Sequence, residues 1–201
     1  MKMTVRALLG SVVISALAAC GSPDARADLP ESGGVVDSIL PREEAVRRFR
    51  DGLAPVDSLE GGASSRDELV AAFVRAIGEA DSAAVARLAI SRAEFAYLYY
   101  PTAVESKPPY DLDPSLMWFT LYERSNEGAR KALSRYGGHP MPLIGYDCGV
   151  EQHQEGENTI YGPCTVRWRN EAGDTVSVRL ISKILERNGR FKFLSYANRL
   201  G

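Results

Sequence analysis

The sequence has few cysteines and few histidines: three and two, respectively, in 201 residues. So few cysteines exclude a small domain held together by many disulfides. The chain also lacks an excess of charge of either sign, because it has 24 basic and 26 acidic residues and a formal net charge of −2. This balance gives no support for nucleic-acid binding. Hydrophobic residues make up 45% of the chain, which is enough for one buried core and excludes a disordered protein.

An apolar run near the N-terminus extends from Ala7 to Ala19. Lys2 and Arg6 precede it, and the run is too short to span a hydrocarbon core of about 30 Å. A positive region followed by a short apolar region is typical of an export signal. Residues 1–19 are therefore predicted to be a cleaved signal peptide.

The end of this segment, Leu17-Ala18-Ala19-Cys20, resembles the lipobox of bacterial lipoproteins. In that family the cysteine thiol receives a diacylglycerol, the preceding peptide is removed, and the new amine is usually acylated, so the anchor carries fatty acids such as palmitate. The resemblance implies that Cys20 is the lipid attachment site. Each methylene buried in the bilayer contributes about 0.8 kcal/mol, so two or three chains give stable membrane binding. The alternative is a plain secretory leader in which Cys20 has no role.

Gly21 follows the cysteine at a position where aspartate marks inner-membrane retention in Gram-negative lipoproteins. The resemblance therefore implies a bacterial cell-envelope protein on the periplasmic face of the outer membrane.

Two further cysteines, Cys148 and Cys164, form an even pair in a chain predicted to be exported. Because that compartment is oxidising, a disulfide between them is predicted. Closing this loop is worth about 3 kcal/mol on the chain-entropy model. Metal binding is the weaker interpretation, since neither cysteine belongs to a Cys-x-x-Cys motif and the nearby histidine is His153 alone. We predict neither a metal site nor a cofactor.

Composition divides the exported chain into three parts. Residues 20–36 are rich in Gly, Ser, Pro, Asp and Ala and predict a flexible tether. Residues 37–62 contain a short amphipathic helix and a linker, and this helix is expected to clasp the main domain. Residues 63–201 are predicted to form a single domain.

Helix-capping signals are frequent in the first half of that domain. Ser65, Asp81 and Ser91 each stand at the start of an amphipathic segment and predict three helices. Asp113 followed by a proline predicts the start of a long fourth helix, which ends at Gly137.

After Pro140 the hydrophobic period changes from 3.6 to 2, which predicts an antiparallel meander. Strands are expected at 143–150, at 164–169 and from Val176 to Ile184, with a polar excursion between the first two. The dipeptide Asn188-Gly189 predicts a hairpin turn into the last strand.

Helices followed by antiparallel strands indicate an α+β fold, with N-terminal helices packed against a curved C-terminal sheet. The fragment Phe73 to Asp81, followed by Val85 and Leu88, carries a family resemblance. In this fragment and in element order, residues 63–199 resemble the cone-shaped superfamily of nuclear-transport-factor-like and ketosteroid-isomerase-like domains, also called cystatin-like. The long helix from 114 to 136 departs from many members. The resemblance implies a cone that binds small apolar molecules, with acid–base chemistry in a few members.

Chemistry of the isomerase kind needs carboxylates inside the cone. The predicted inward face of the strands carries none, so we assign no catalytic residue. His139 and His153 are predicted to be solvated loop residues. The preferred hypothesis is a non-catalytic domain that binds a small molecule or a protein partner. The alternative is an isomerase-like or hydrolase-like enzyme acting on a small apolar substrate.

Four aromatic residues are the candidate ligand contacts: Tyr97, Tyr100, Trp118 and Tyr122. A tyrosine buries its ring while its hydroxyl finds a polar partner, which suits a ligand cavity or the edge of a core. Packing within the core and between helices is the preferred interpretation of these residues, and ligand contact is the second. Nearby Glu94 is predicted to be occupied by its helix cap.

Basic residues alternate with apolar ones along the predicted strands, at Arg167, Arg169, Arg179, Lys183 and Lys192. The preferred interpretation of this strip on the outer face is a solvated surface; contact with an anionic envelope partner such as lipid headgroups or polysaccharide is the second interpretation. A solvated basic face also blocks edge pairing.

Overall fold

A computed structural model describes residues 40–150 and 152–200. The predicted signal peptide, Cys20 and the predicted tether lie outside the described residues. In the described part of the chain, no helix has the length and apolar character needed to cross a membrane.

The first half of the described chain is helical, and strands follow, so the architecture is α+β as predicted. The helices are α1 (Arg42–Arg50), α2 (Arg66–Gly78), α3 (Ser82–Leu88), α4 (Arg92–Glu94) and α5 (Pro114–Tyr136). A π-helical turn spans Phe95–Tyr99, and a 3₁₀ turn spans Val104–Ser106.

Side-chain caps fix the starts of α2, α3, α4 and α5, as the sequence predicted. Ser65, Asp81, Ser91 and Asp113 each accept a hydrogen bond from a backbone N–H of the first turn. The Glu94 carboxylate completes a capping box by accepting from the backbone N–H of Ser91 at 2.6 Å. These contacts satisfy N–H groups that have no partner within the helix.

The strands form two antiparallel sheets. They are β1 (Leu143–Asp147), β2 (Gln152–Glu155), β3 (Asn158–Tyr161), β4 (Cys164–Arg169), β5 (Thr175–Ile181), β6 (Lys183–Arg187) and β7 (Arg190–Ser195). One sheet has the order β1-β4-β5 and the other the order β2-β3-β6-β7. The predicted hairpin at Asn188-Gly189 joins β6 to β7, and both turn residues have positive φ.

The predicted single strand from Val176 to Ile184 is wrong. The strand is interrupted at Ser182. There β5 ends, and β6 begins in the other sheet. The neighbouring residues Leu180 and Ile181 are both buried, so the alternation of buried and exposed side chains stops at this crossing.

The predicted polar excursion contains a hairpin instead, formed by β2 and β3. Its turn contains Gly156, whose φ is +66°. A Cβ atom there would overlap the side chain of Thr102, so only glycine fits this close approach. Because polar residues dominate β2, its sequence carries no hydrophobic alternation.

The four-stranded sheet is buried on both faces. Ile184 and Phe193 join a core with α2 and the three-stranded sheet. Ile160, Leu185 and Leu194 join a second core with α1 and the π-helical turn. The predicted clasp helix α1 contributes Phe49 to that second core, where its ring meets Phe95 edge-on at 5.6 Å.

The outer edge of β7 is occupied by two segments from the helical half. Ala63 exchanges two backbone hydrogen bonds with Phe191, at 3.0 and 2.9 Å. The backbone N–H of Ile90 donates to the carbonyl of Phe193 at 3.0 Å. The backbone groups of this edge are therefore satisfied at two points.

Helix α5 approaches the end of β7 very closely. A Cβ atom on Gly128 would overlap the backbone carbonyl of Tyr196. Next to this contact, the Ser125 hydroxyl accepts a hydrogen bond from the backbone N–H of Tyr196 at 3.1 Å. The missing side chain at Gly128 thus sets the distance between helix and strand.

Candidate functional site

An apolar groove of about 470 Å³ lies between α3 and α5. One wall of the groove has small side chains, Ala86 of α3 and Ala89 of the segment after it, which leave space for a ligand. Ala129 and Leu133 of α5 form the opposite wall, and Leu194 contributes from β7. A concave, mainly apolar site with a few polar groups is the usual form of a small-molecule site.

Trp118 and Tyr122 stand together at one end of this groove. They are four residues apart on α5, so they share a helix face, and their rings stack with centroids 5.4 Å apart. The Phe95 ring also packs against the indole, with the ring centroids 5.2 Å apart. Tyr122 remains 48% exposed, so an aromatic surface is available to a ligand.

Tyr196 forms part of the lining and is held at several points. Its hydroxyl donates to the carbonyl of Val85 at 2.8 Å, and its ring stacks on Phe73 at 5.1 Å. Burial raises the pKa of the Tyr196 hydroxyl well above its ordinary value, so the group stays a neutral donor. Tyr196 therefore connects the lining of the groove to the core that α2 and the three-stranded sheet form.

The structure places the other two candidate residues elsewhere. The Tyr100 hydroxyl donates to the carbonyl of Leu112 at 2.8 Å, and the ring is buried beside α1. Tyr97 lies under the Arg50 guanidinium, 4.5 Å from its ring centroid. The four aromatic residues thus form one pair at the groove and two separate packing contacts.

The predicted disulfide is present and joins the end of β1 to the start of β4. The sulfur atoms of Cys148 and Cys164 are 2.04 Å apart. Both cysteines are buried in the first core, so the bond fastens one edge of the three-stranded sheet to that core.

A buried ion pair lies on the α4 side of the four-stranded sheet. Lys192 of β7 donates to both carboxylate oxygens of Glu94, at 3.0 and 2.9 Å, and the two residues are 6% and 1% exposed. The same carboxylate accepts from the backbone N–H of Glu60 at 2.8 Å. The sequence interpretation that placed Lys192 on a solvated outer strip is wrong, because helices cover that face.

The absence of inward carboxylates on the strands is also a wrong prediction. Glu155 of β2 is 4% exposed, and one of its oxygens lies 3.0 Å from Nε2 of His153. Its second oxygen is buried and has no hydrogen-bond partner among the described residues. His153 is therefore a strand residue paired with a buried acid, whereas His139 is an exposed residue beside Glu171. No signal in β2 indicated this burial, because both of its faces carry polar side chains.

Metal-ligating side chains do not gather in groups of three or more within residues 40–150 and 152–200. Exposed Arg167, Arg169 and Arg179 lie on the outer face of the three-stranded sheet, where the sequence placed them. Comparisons of the chain with protein-family models, with curated proteins and with solved structures found no match.

Proposed function

We propose that this protein is a lipid-anchored cell-envelope protein whose α+β domain binds a small apolar molecule without transforming it. The observation that carries the binding proposal is the stacked Trp118–Tyr122 pair at the end of an apolar groove between α3 and α5. A fixed aromatic surface beside small side chains favours a flat or branched apolar ligand.

The proposed localisation is supported by the lipobox-like sequence that ends in Cys20 and by the disulfide between Cys148 and Cys164. A disulfide of this kind supports an oxidising compartment outside the cytosol. We place the protein at the periplasmic face of the outer membrane, with Cys20 as the attachment site. The order of capped helices followed by antiparallel strands supports our assignment of the domain to the cone-shaped, cystatin-like type.

Binding is favoured over catalysis at the groove by the side chains that line it. The carboxylate among the described lining residues is that of Glu123, which is exposed. Buried Glu155 is not part of the lining. An acid or base working on an apolar ligand needs a desolvated carboxylate or another tuned group beside it.

Filling the groove is expected to weaken ligand binding. Ala86 is an exposed residue of α3 that lines the groove, so Ala86→Phe places a ring in the space without disturbing the core. We expect the fluorescent probe N-phenyl-1-naphthylamine to bind the unmodified protein and the variant to bind it at least about tenfold more weakly, or about 1.4 kcal/mol. Fluorescence titration measures both dissociation constants.

Ala83→Phe is the matched control, because Ala83 is an exposed residue of the same helix that does not line the groove. Its probe affinity should stay within about twofold of the unmodified protein. Equal affinities for the two variants, or no probe binding at all, would contradict the groove as the ligand site.

Replacing Cys20 by serine is expected to abolish fatty acylation, since serine lacks the thiol that receives the diacylglycerol. Cells that express the protein are grown with an alkyne analogue of palmitate, and the captured protein is tested for the label. The unmodified protein and a Ser22→Ala control should carry the label, and Cys20→Ser should not. Label that persists on Cys20→Ser would refute the anchor and leave the groove proposal untouched.

A further inference from the structure

A second cavity lies where the chain passes between the two sheets. It has a volume of about 390 Å³ and lies beside Gly162-Pro163, which connects β3 to β4, and Ser182, which connects β5 to β6. The C-terminal segment after β7 contributes Ala197, Asn198 and Arg199 to its lining. None of these residues lines the groove between α3 and α5, so the two sites are separate.

Positive charge converges on this cavity from three segments of the chain. Arg179 comes from β5, Lys183 from the start of β6, and Arg199 from the C-terminal segment. Of the ten lining residues that the structure describes, none is acidic. Like charges that line one recess repel one another, and this repulsion favours the entry of an anion.

Two cations of the four-stranded sheet are held by acidic partners. Lys192 is held by Glu94, and Arg187 by Glu157. Within the described residues, Arg179 and Arg199 have neither an ion pair nor a side-chain hydrogen bond, and the ion pair of Lys183 is a long one to Glu105, at 3.8 Å. The two guanidinium groups therefore keep all of their donors for a ligand.

The backbone around the cavity is held in place without help from a ligand. Ser182 donates its backbone N–H to the carbonyl of Ser195 at 3.0 Å. The Asn198 side chain donates to the carbonyl of Gly128 at 2.9 Å and accepts from the backbone N–H of Leu200 at 3.2 Å. The segments that carry Lys183 and Arg199 are thus positioned in advance, which reduces the entropy lost on binding.

His153 adds a further polar group to the lining. Its Nε2 atom faces the buried Glu155 carboxylate at 3.0 Å, which orients the imidazole ring. Its second ring nitrogen is left without a described partner and can donate or accept a hydrogen bond, depending on the tautomer.

We propose that this cavity binds a phosphate-bearing anion of about the size of pyrophosphate, held by Arg179, Arg199 and Lys183. Planar guanidinium groups match phosphate oxygens in pairs, and three positive charges suit a multiply charged group. Either a free phosphate compound or the phosphate of a lipid headgroup supplies this chemistry. The site is independent of the proposed apolar ligand.

Calorimetric titration of the purified protein with pyrophosphate at 150 mM salt tests the proposal. The variant is Arg179→Ala combined with Arg199→Ala. The control is Arg167→Ala combined with Arg169→Ala, which removes the same charge from exposed positions on the same face of the three-stranded sheet that do not line the cavity. We expect the cavity variant to lose at least tenfold in affinity and the control to stay within twofold. All four arginines are exposed, and circular dichroism verifies that both variants are folded.

Equal losses in the two variants would show a diffuse attraction to positive charge and overturn the site, as would absence of pyrophosphate binding to the unmodified protein. Sedimentation of the Cys20→Ser protein with phosphatidylglycerol vesicles identifies the source of the phosphate. Vesicle binding that requires Arg179 and Arg199 and that pyrophosphate displaces supports a headgroup in this cavity. Pyrophosphate binding in solution without vesicle binding supports a soluble phosphate compound there.

Discussion

Gly128→Ala is expected to destabilise the domain by about 3 kcal/mol, although alanine is the better helix former by about 1 kcal/mol. The added Cβ atom would overlap the carbonyl of Tyr196, and this is backbone that belongs to the end of the four-stranded sheet. Helix α5 must therefore move away from β7, which opens the contact between Ser125 and Tyr196. Urea unfolding followed by tryptophan fluorescence measures the loss.

The control for this substitution is Gly145→Ala in β1, where a Cβ atom would meet only the end of the Arg167 side chain, at 3.6 Å. Its free energy of unfolding should change by less than about 0.5 kcal/mol, as for surface substitutions in general. A stability of Gly128→Ala equal to or above that of the unmodified protein would mean that helix propensity outweighs the overlap. That result would contradict our inference that α5 packs too closely on the end of β7 to admit a Cβ atom at residue 128.

Lys192→Met is expected to lower the free energy of unfolding by about 3 to 5 kcal/mol, because it leaves the Glu94 carboxylate charged and 1% exposed without its cation. That carboxylate also holds the backbone N–H groups of Glu60 and Ser91, so it cannot turn toward solvent without breaking them. Replacing both partners, with Glu94→Gln and Lys192→Met together, should recover part of the loss. Urea unfolding of Lys192→Met, of Glu94→Gln and of the double variant measures each effect.

Lys131→Met is the matched comparison, because Lys131 forms an exposed pair with Glu127 at 3.0 Å on α5. Exposed pairs of this kind contribute little to stability, because solvent screens them. If Lys192→Met lowers the free energy of unfolding no more than Lys131→Met does, the buried ion pair contributes no more to stability than an exposed one. A double variant less stable than Lys192→Met would also speak against coupling between Glu94 and Lys192.

Local signals predicted the helical half and the last hairpin well. Capping residues such as Ser91 and Asp113 act within one turn of backbone, and the Asn188-Gly189 turn acts within two residues, so their effects are visible in the sequence. The pairing of Cys148 with Cys164 followed from the count of remaining cysteines. Each of these inferences needed no knowledge of distant contacts.

The faces of the four-stranded sheet were predicted poorly for a physical reason. Alternation of Phe191, Lys192 and Phe193 shows that the lysine points away from the phenylalanines, but not whether a helix covers its side. The break at Ser182 was hidden because both sides of it read as apolar strand. Tertiary packing decides these points, and it involves Glu94, which is 98 residues away from Lys192 in sequence.

The candidate site was predicted in part. Trp118 and Tyr122 stand four residues apart on a regular helix, so the sequence alone places them side by side. Tyr97 and Tyr100 lie in and just after a π-helical turn, marked by the hydrogen bond from the N–H of Tyr100 to the carbonyl of Phe95 at 2.8 Å. This turn changes the rotation per residue, so spacing rules for an α-helix do not apply to these two tyrosines.

The backbone contacts of β7 with Ala63 and Ile90 bear on how the protein behaves among its own copies. The lipid anchor that we propose would place copies of the protein on a two-dimensional surface, where neighbours meet more often than in dilute solution. An open strand edge would recruit the next copy into a growing intermolecular sheet. Because Ala63 and Ile90 already bond to β7, this edge of the four-stranded sheet is closed to such pairing at two points.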